Sequence, residues 1–260
     1  MAFKDKLRIA AVGDLHFRGQ QGALQAAFAD LSERADVLVL CGDLTDYGTV
    51  EEAQALAREL SATVKIPMVG VLGNHDFEAG KQDEVRSILM SSGLILLDGE
   101  AHEILGVGFA GVKGFIGGYG KYTLGAWGED WIKGIVREAI NEALKLESAL
   151  ARLKTPHRIV CMHYSPVKET VIGEPEEIFP FLGSSRLEEP LLRHPISAVF
   201  HGHAHKGTLE GRLMSGTPVY NVAMPLLRSK FPDQPPVRIL EVTLSPPAGP
   251  MQMQEARFEP

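Results

Sequence analysis

Short, nearly unbroken apolar runs recur along the chain at Leu7–Val12, Val37–Cys41, Met68–Leu72, Ile159–Met162 and Ala198–Phe200. Their β-branched content and lack of polar alternation predict strands buried on both faces. Between the first three runs the apolar positions change to helical spacing. Gly22–Arg34 places Leu24, Ala27, Phe28 and Leu31 on one stripe, and Val50–Leu60 follows Thr49, an N-cap residue, with Glu51 and Glu52 in its first turn. This βαβαβ beginning predicts a mainly parallel sheet with helices against it. A third helix is expected over Gln82–Met90, and the longest over Trp131–Leu153, ended by Thr155-Pro156. Leu94–Leu97, His102–Leu105 and Val107–Val112, separated by Asp98-Gly99 and Gly106, read as an antiparallel meander. Late strands are expected at Val219–Val222, Val237–Leu244 and Met251–Phe258. Two stretches lack either period. Gly111–Gly128 carries Phe115, Tyr119, Tyr122 and Trp127, and Tyr164–Gly183 carries Pro166, Pro175 and Pro180 before a short helix at Ser184 or Ser185. No repeat or linker interrupts the pattern, so a single domain over residues 1–260 is expected.

Composition narrows the picture slightly. The chain has 260 residues, 45% hydrophobic and 23% charged, with a formal net charge of −7, as in an ordinary enzyme. No basic stripe marks a nucleic-acid face, so nucleic acid is not expected as a partner. The first six residues lack the apolar core of a signal peptide, and the Leu7–Val12 run is too short to span a membrane. Two cysteines, Cys41 and Cys161, argue against a disulfide framework and for a reducing, cytoplasmic setting.

The chemistry lies just beyond the apolar runs. In order they are followed by Gly13-Asp14-Leu15-His16, Gly42-Asp43-Leu44-Thr45-Asp46, Gly73-Asn74-His75-Asp76, His163 and Gly202-His203-Ala204-His205. Open α/β sheets place their ligands at the carboxyl ends of strands, so residues distant in sequence are expected to converge on one rim. Carboxylates, an amide and imidazoles make a mixed oxygen–nitrogen set suited to manganese, iron, zinc or cobalt, without the thiolates of a structural zinc site. One carboxylate can bridge two ions about 3.5–4 Å apart. Two divalent ions bring +4 and Asp14 with Asp43 return −2, so the centre would attract a phosphate ester even on an acidic protein.

These blocks, in this order, resemble the calcineurin-like metallophosphoesterase superfamily, whose pattern is Asp-x-His, Gly-Asp with a further Asp, Gly-Asn-His-Asp/Glu, His, and Gly-His-x-His. All five are intact, and they span Asp14 to His205, about three quarters of the chain. The resemblance implies an α/β fold, a four-layer α/β/β/α sandwich of two mixed sheets flanked by helices. It implies two divalent or mixed-valence transition-metal ions, Mn2+, Fe2+/Fe3+ or Zn2+. Asp14, His16, Asp43 and His205 would hold the first, and Asp43 would bridge to a second completed by Asn74, His163 and His203. A bridging hydroxide would attack phosphorus, and His75, free of metal, would protonate the departing alkoxide. Asp76 would orient His75 and raise its pKa. A small phosphate-ester substrate follows, most readily a phosphodiester, since the chain's size and its Gly-Asn-His-Asp block are similar to bacterial members acting on diesters. A phosphomonoesterase with the same centre is the alternative. A non-catalytic scaffold of this fold would be expected to have lost ligands, and none is missing; a DNA nuclease would carry appended binding segments. Some family members dimerise, which leaves a homodimer open.

Other candidates have plainer readings. His201 is expected behind the ligands rather than among them. Asp46 suits a turn-stabilising role, and Cys41 and Cys161 suit buried strand positions. His102, His157 and His194 are left at the surface. The 111–128 stretch either covers apolar surface or walls the substrate pocket. Ser184, Ser185 and Arg186 either cap a helix or meet an anion.

Overall fold

Each buried run becomes a strand in the computed structural model, which describes residues 5–244. Strands β1 (Lys6–Val12), β2 (Val37–Cys41), β3 (Met68–Val71) and β4 (Leu94–Leu96) run parallel, and β11 (Arg238–Thr243) closes the sheet antiparallel to β1, in the order β11-β1-β2-β3-β4. The second sheet has six strands: β5 (Glu100–Ile104), β6 (Val107–Val112), β7 (His157–Met162), β8 (Ala198–His201), β10 (Pro218–Asn221) and β9 (Glu210–Arg212), in that order. Its four inner strands are parallel, and its two edges are antiparallel to their neighbours. The helices are α1 (Gln25–Phe28), α2 (Leu31–Arg34), α3 (Val50–Thr63), α4 (Gln82–Ser91), α5 (Asp130–Arg152), α6 (Phe179–Leu182), α7 (Glu188–Leu191) and α8 (Met224–Lys230).

Two faces per strand explain the layers. In the second sheet Phe109, Ile159, Cys161 and Phe200 pack into one core with Leu38, Leu40, Val69 and Val71 of the first sheet. Their strand neighbours Ala110, Val160, Met162 and Val199 pack instead with Leu146, Ala149 and Leu150 of α5. Side chains alternate with period two, so an all-apolar strand fills both interfaces at once. Helices α3 and α4 pack on each other, with α4 also against β4, beside the first sheet. The result is the expected four-layer α/β/β/α sandwich of two mixed sheets. Helix α3 starts in the expected way: Thr49 accepts the Glu52 N–H at 3.2 Å, and the Glu52 carboxylate returns to the Thr49 N–H.

Several expectations are corrected. Gly22–Arg34 is two short helices, because Ala29 is extended and Asp30 turns left-handed at φ +53°. The meander does not form as one unit. Leu94 and Leu96 are buried, which sends β4 to β3 in the first sheet; only β5 and β6 make a hairpin. In α5 the apolar Ile140 is exposed while the charged Glu142 is buried, its carboxylate accepting the Gly114 N–H at 2.7 Å and a Lys145 bond at 2.8 Å. Strand β9, Glu-Gly-Arg, has no apolar pattern to betray it. The expected Met251–Phe258 strand lies outside the described residues. Among the described residues no helix is long and apolar enough to cross a membrane.

The Phe200 ring is fully buried between the sheets and stacks on Tyr220 at 5.6 Å. Phe200→Ala should therefore lower unfolding free energy by about 3–5 kcal/mol in urea titration; a loss below about 1 kcal/mol would mean that the inter-sheet core is loosely packed.

Candidate metal centre

All five sequence blocks follow strand ends that meet on one rim. Asp14 and His16 follow β1, Asp43 follows β2, and Asn74 with His75 follows β3. His163 follows β7, and His203 with His205 follows β8. The backbone is forced there. Asp14, His16, Asp43 and His203 all have positive φ, at +56°, +44°, +48° and +69°, a region costly for residues with a Cβ and concentrated at functional sites. Two glycines are required by space. A Cβ at Gly73 would lie 2.2 Å from Asp43 Oδ1, and one at Gly202 would lie 2.2 Å from Asp14 Oδ2.

Two groups form around Asp43. In the first, His205 Nε2 lies 2.9 Å from Asp14 Oδ1 and 3.4 Å from His16 Nε2. In the second, His163 Nε2 lies 2.8 Å from Asn74 Oδ1, and Asp43, His163 and His203 bring ligand atoms within 4.8 Å of one another. Asp43 spans the two: Oδ2 is 3.8 Å from His16 Nε2, and Oδ1 is 3.4 Å from His163 Nε2. The carboxylate also accepts the His75 N–H at 2.8 Å.

The opposite side of most rings is tied down. His16 Nδ1 faces Asp46 Oδ1 at 3.1 Å, His163 Nδ1 faces the Cys41 carbonyl at 3.0 Å, and His203 Nε2 faces the Phe181 carbonyl at 3.1 Å. A carbonyl only accepts, so the proton of His163 is fixed on Nδ1 and that of His203 on Nε2, leaving the other nitrogen bare toward the centre. Burial lowers the pKa of His16 and drives that of His163 well down, and it takes His203 to about 3. His205 departs from this: burial opposes it, but the bond to Asp14 and its charge raise its pKa. Asp43 is pushed well above the usual carboxylate range by burial, then by Asp14 and Asp76. Neutral imidazoles facing crowded buried carboxylates are a donor set that fits divalent cations, which would remove the carboxylate repulsion.

The other residues sort themselves. The His75 ring is oriented not by Asp76 but by the Asp46 carbonyl, 2.7 Å from Nδ1. Asp76 is wholly buried, and its oxygens accept the N–H groups of Leu44, Thr45 and Gly73 and the Thr45 hydroxyl. Asp76 therefore folds the second and third motifs onto each other, a correction to its expected role at His75. Asp46 is more than a turn residue, since its other oxygen takes Arg18 Nε at 2.7 Å. His201 stays behind the ligands, with Nδ1 2.7 Å from the Gly202 carbonyl and Nε2 2.8 Å from Thr170 Oγ1. Both thiols are buried and pushed up, Cys161 to about 12, which leaves them unreactive. Ser184 caps the Ser185–Leu187 turn, and Ser185 Oγ and Arg186 reach the Gly-rich loop at the Gly120 N–H and the Leu124 carbonyl. Reading the sequence missed the Phe181 carbonyl, a backbone acceptor without a side-chain signature. It also missed Lys113, although that residue follows β6 just as the ligands follow their strands.

Fold and rim together define an α/β/β/α sandwich with candidate metal-ligand groups at its strand ends. The chain belongs to the calcineurin-like phosphoesterases: that family's sequence pattern matches residues 7–207. GpdQ of Enterobacter lignolyticus strain SCF1, a glycerophosphodiester phosphodiesterase, is 34% identical over 84 residues, which cover 27% of this chain and 30% of that protein. This chain thus spans less than a third of that relative's length. The phosphopantetheinyl hydrolase PptH of Mycobacterium tuberculosis superposes with a TM-score of 0.64 at 15% identity, over 95% of this chain and 99% of that one. TT1561 of Thermus thermophilus gives 0.54 at 18%, over 85% and 91%. At such identities the likeness is one of fold.

Burial depresses the His201 pKa to about 4, against about 6.5 in an unfolded chain. Between those values the unfolded state binds the extra proton, so the stability held by neutral His201 is complete above about pH 6.5 and falls as pH drops toward 4. In chelator-treated protein, the stability advantage of wild type over His201→Gln should shrink by about 2 kcal/mol between pH 6.5 and 5. Urea titrations at the two pH values measure it, and a constant difference would contradict the buried neutral ring.

Proposed function

We propose that this chain is a two-metal phosphodiesterase in which Asp14, His16 and His205 would hold one ion, Asn74, His163 and His203 would hold the other, and Asp43 would serve both. The observation that carries this reading is the division of the Asp43 carboxylate, with one oxygen toward each group of donors. When bound, two divalent ions supply Lewis acidity and bring the pKa of water toward about 7. Manganese, iron and zinc all suit this oxygen–nitrogen set.

The remaining steps belong to the chain. His75 holds Nδ1 on the Asp46 carbonyl, so in its protonated form Nε2 carries the hydrogen free to be transferred. That nitrogen is 4.0 Å from Asp43 Oδ2, and the His75 side chain is part-exposed, at the edge of the centre where a leaving group would depart. His75 donates that proton to the leaving-group oxygen, which spares the departing alkoxide its charge. Asp46 fixes this acid through its carbonyl and His16 through its carboxylate, so one residue sets the distance between proton donor and metal ligand. The preference for diesters is supported by the similarity to a glycerophosphodiester phosphodiesterase.

Chelator-stripped protein titrated with Mn2+ should hydrolyse bis-p-nitrophenyl phosphate, with activity rising up to two equivalents. Cleavage of p-nitrophenyl phosphate but not of the diester, with two ions bound, would make the enzyme a monoesterase. Absence of metal binding would remove the central claim. His75→Ala should keep the two-ion stoichiometry and turn over about 10²–10⁴-fold more slowly. Turnover at the wild-type rate would show that His75 is not the acid.

A further inference from the structure

Lys113 stands where the other strands place ligands, at the carboxyl end of β6 beside β7. Its carbonyl accepts the N–H groups of both His163 and Tyr164, at 3.0 and 3.1 Å, which ties it to a metal-ligand candidate through the backbone. Its ammonium reaches one acceptor, the Gly114 carbonyl at 3.0 Å. Around it stand the rings of Phe115, Phe77 and Tyr164, with centroids 4.8, 5.4 and 5.4 Å from Nζ. Among the described residues no carboxylate comes within ion-pair distance of it. Glu142 accepts the Gly114 N–H and shares a single lysine, Lys145, with Asp98. An ammonium has three hydrogens, and a half-buried one that bonds only one of them is costly. The three ring faces offset part of that cost.

Lys113 lines a cavity of about 180 Å³ together with Leu72, Phe77, Leu97 and Arg86. Leu72 and Phe77 flank the Gly73–Asp76 motif, and the Lys113 ammonium lies near both the ring of Phe77, two residues beyond His75, and that of Tyr164, next to His163, which turns this end of the cavity toward the centre. Two acids also line it, but Asp98 is paired with Lys145 at 2.9 Å and Asp83 is exposed to solvent, where its charge is screened. Arg86 is held by Glu100 and by the Leu96 carbonyl. Lys145 is shared between Asp98 and Glu142, and the group that faces the cavity with hydrogens left to bond is the half-buried Lys113 ammonium. An apolar wall from Leu72, Phe77 and Leu97 beside such an ammonium fits a small organic group carrying an anion.

We propose that this cavity receives the leaving group of the substrate, and that Lys113 is a specificity-determining residue that binds a second anionic group, a carboxylate or phosphate, on that leaving group. This rests on the assignment of the metal centre and of His75 as the leaving-group side. The substrate class is then a phosphate ester whose alcohol portion is itself anionic, rather than a neutral or cationic ester.

The test is binding, so that it does not depend on which ester is cleaved. Calorimetry on Mn2+-loaded protein compares 4-carboxyphenylphosphonate with phenylphosphonate, two non-hydrolysable ligands that differ by one carboxylate. Wild type should bind the carboxylated ligand about tenfold more tightly. Lys113→Met should bring that ratio to about one, and Lys113→Arg, which keeps the charge, should retain most of it. A ratio near one in wild type overturns the proposal without recourse to any variant, as does a ratio that Lys113→Met leaves unchanged. If wild type discriminates but cleaves no diester, the anion site stands and the diesterase reading falls.

Discussion

Burying Asp43 next to Asp14 and Asp76 costs free energy that the protein chain alone does not recover. Its pKa is driven up by burial and by both neighbours, and the N–H of His75 opposes this only in part. The same region holds four non-glycine residues at positive φ, each costing of order 1–3 kcal/mol. Such an arrangement persists only where the surroundings over-determine it. Here two sheets grip each strand to within a residue of its motif, with Val12, Cys41, Val71 and Met162 all fully buried. The strain is therefore borne by the sandwich core and released toward a cation, whose charge turns the carboxylate repulsion into attraction.

A second layer of contacts makes the centre specific in geometry. His16, His163, His203 and His75 each have one ring nitrogen committed to a fixed oxygen, from Asp46, Cys41, Phe181 and Asp46 respectively. Three of these acceptors are backbone carbonyls, which cannot change protonation state. The bare nitrogens are thus set by the fold rather than by pH, and they face inward before any ion arrives. Pre-set ligand tautomers lower the reorganisation needed on binding. Asn221 adds to the same end from β10: its amide donates to the Ala204 carbonyl at 2.7 Å, and so holds the turn between His203 and His205.

What could be read from the residues, and what could not, divides along physical lines. Strands buried on both faces write themselves as apolar runs, so β1, β2, β3, β7 and β8 were legible, and so were the polar motifs at their ends. Val50–Thr63 was legible because a Thr/Glu capping box marks its start. The β4 crossover was not, because Leu94–Leu96 looks the same whether its leucines fill one sheet or the other. The role of Asp76 was misread because adjacency in sequence to His75 does not give adjacency of side chains: a short helical turn over His75–Phe77 points the carboxylate back at Gly73 and Thr45. Backbone acceptors such as Phe181 and Asp46 carry no residue signature at all. Lys113 was missed because a single lysine after a strand matches no motif, and its meaning comes only from the rings that the fold assembles around it.

The two halves of the centre are supported differently, and this bears on how substrate choice can vary. Asp14, His16, Asp43 and Asn74 follow strands of the first sheet directly. The second-sheet half leans on loops. Phe181 fixes His203 from the 164–186 segment, and that segment is bonded to the Gly-rich loop through Gly118 to Gly183, Ser185 to Gly118 and Gly117 to Pro180. The Gly-rich loop in turn begins at Lys113, whose carbonyl receives His163 and Tyr164. Tyr164 closes the circuit, its ring 4.5 Å from that of His203 and 5.4 Å from the Lys113 ammonium. A change in either loop therefore acts on a metal-ligand candidate, whereas the cavity beside Lys113 is walled chiefly from the first-sheet side, by Leu72, Phe77, Arg86 and Leu97. The exposed stretch around Tyr122 and Trp127 is free to vary without moving the Phe181 carbonyl, so substrate choice in this fold varies through the cavity walls supplied by β3, α4 and the β4–β5 turn more readily than through the loops that hold His203.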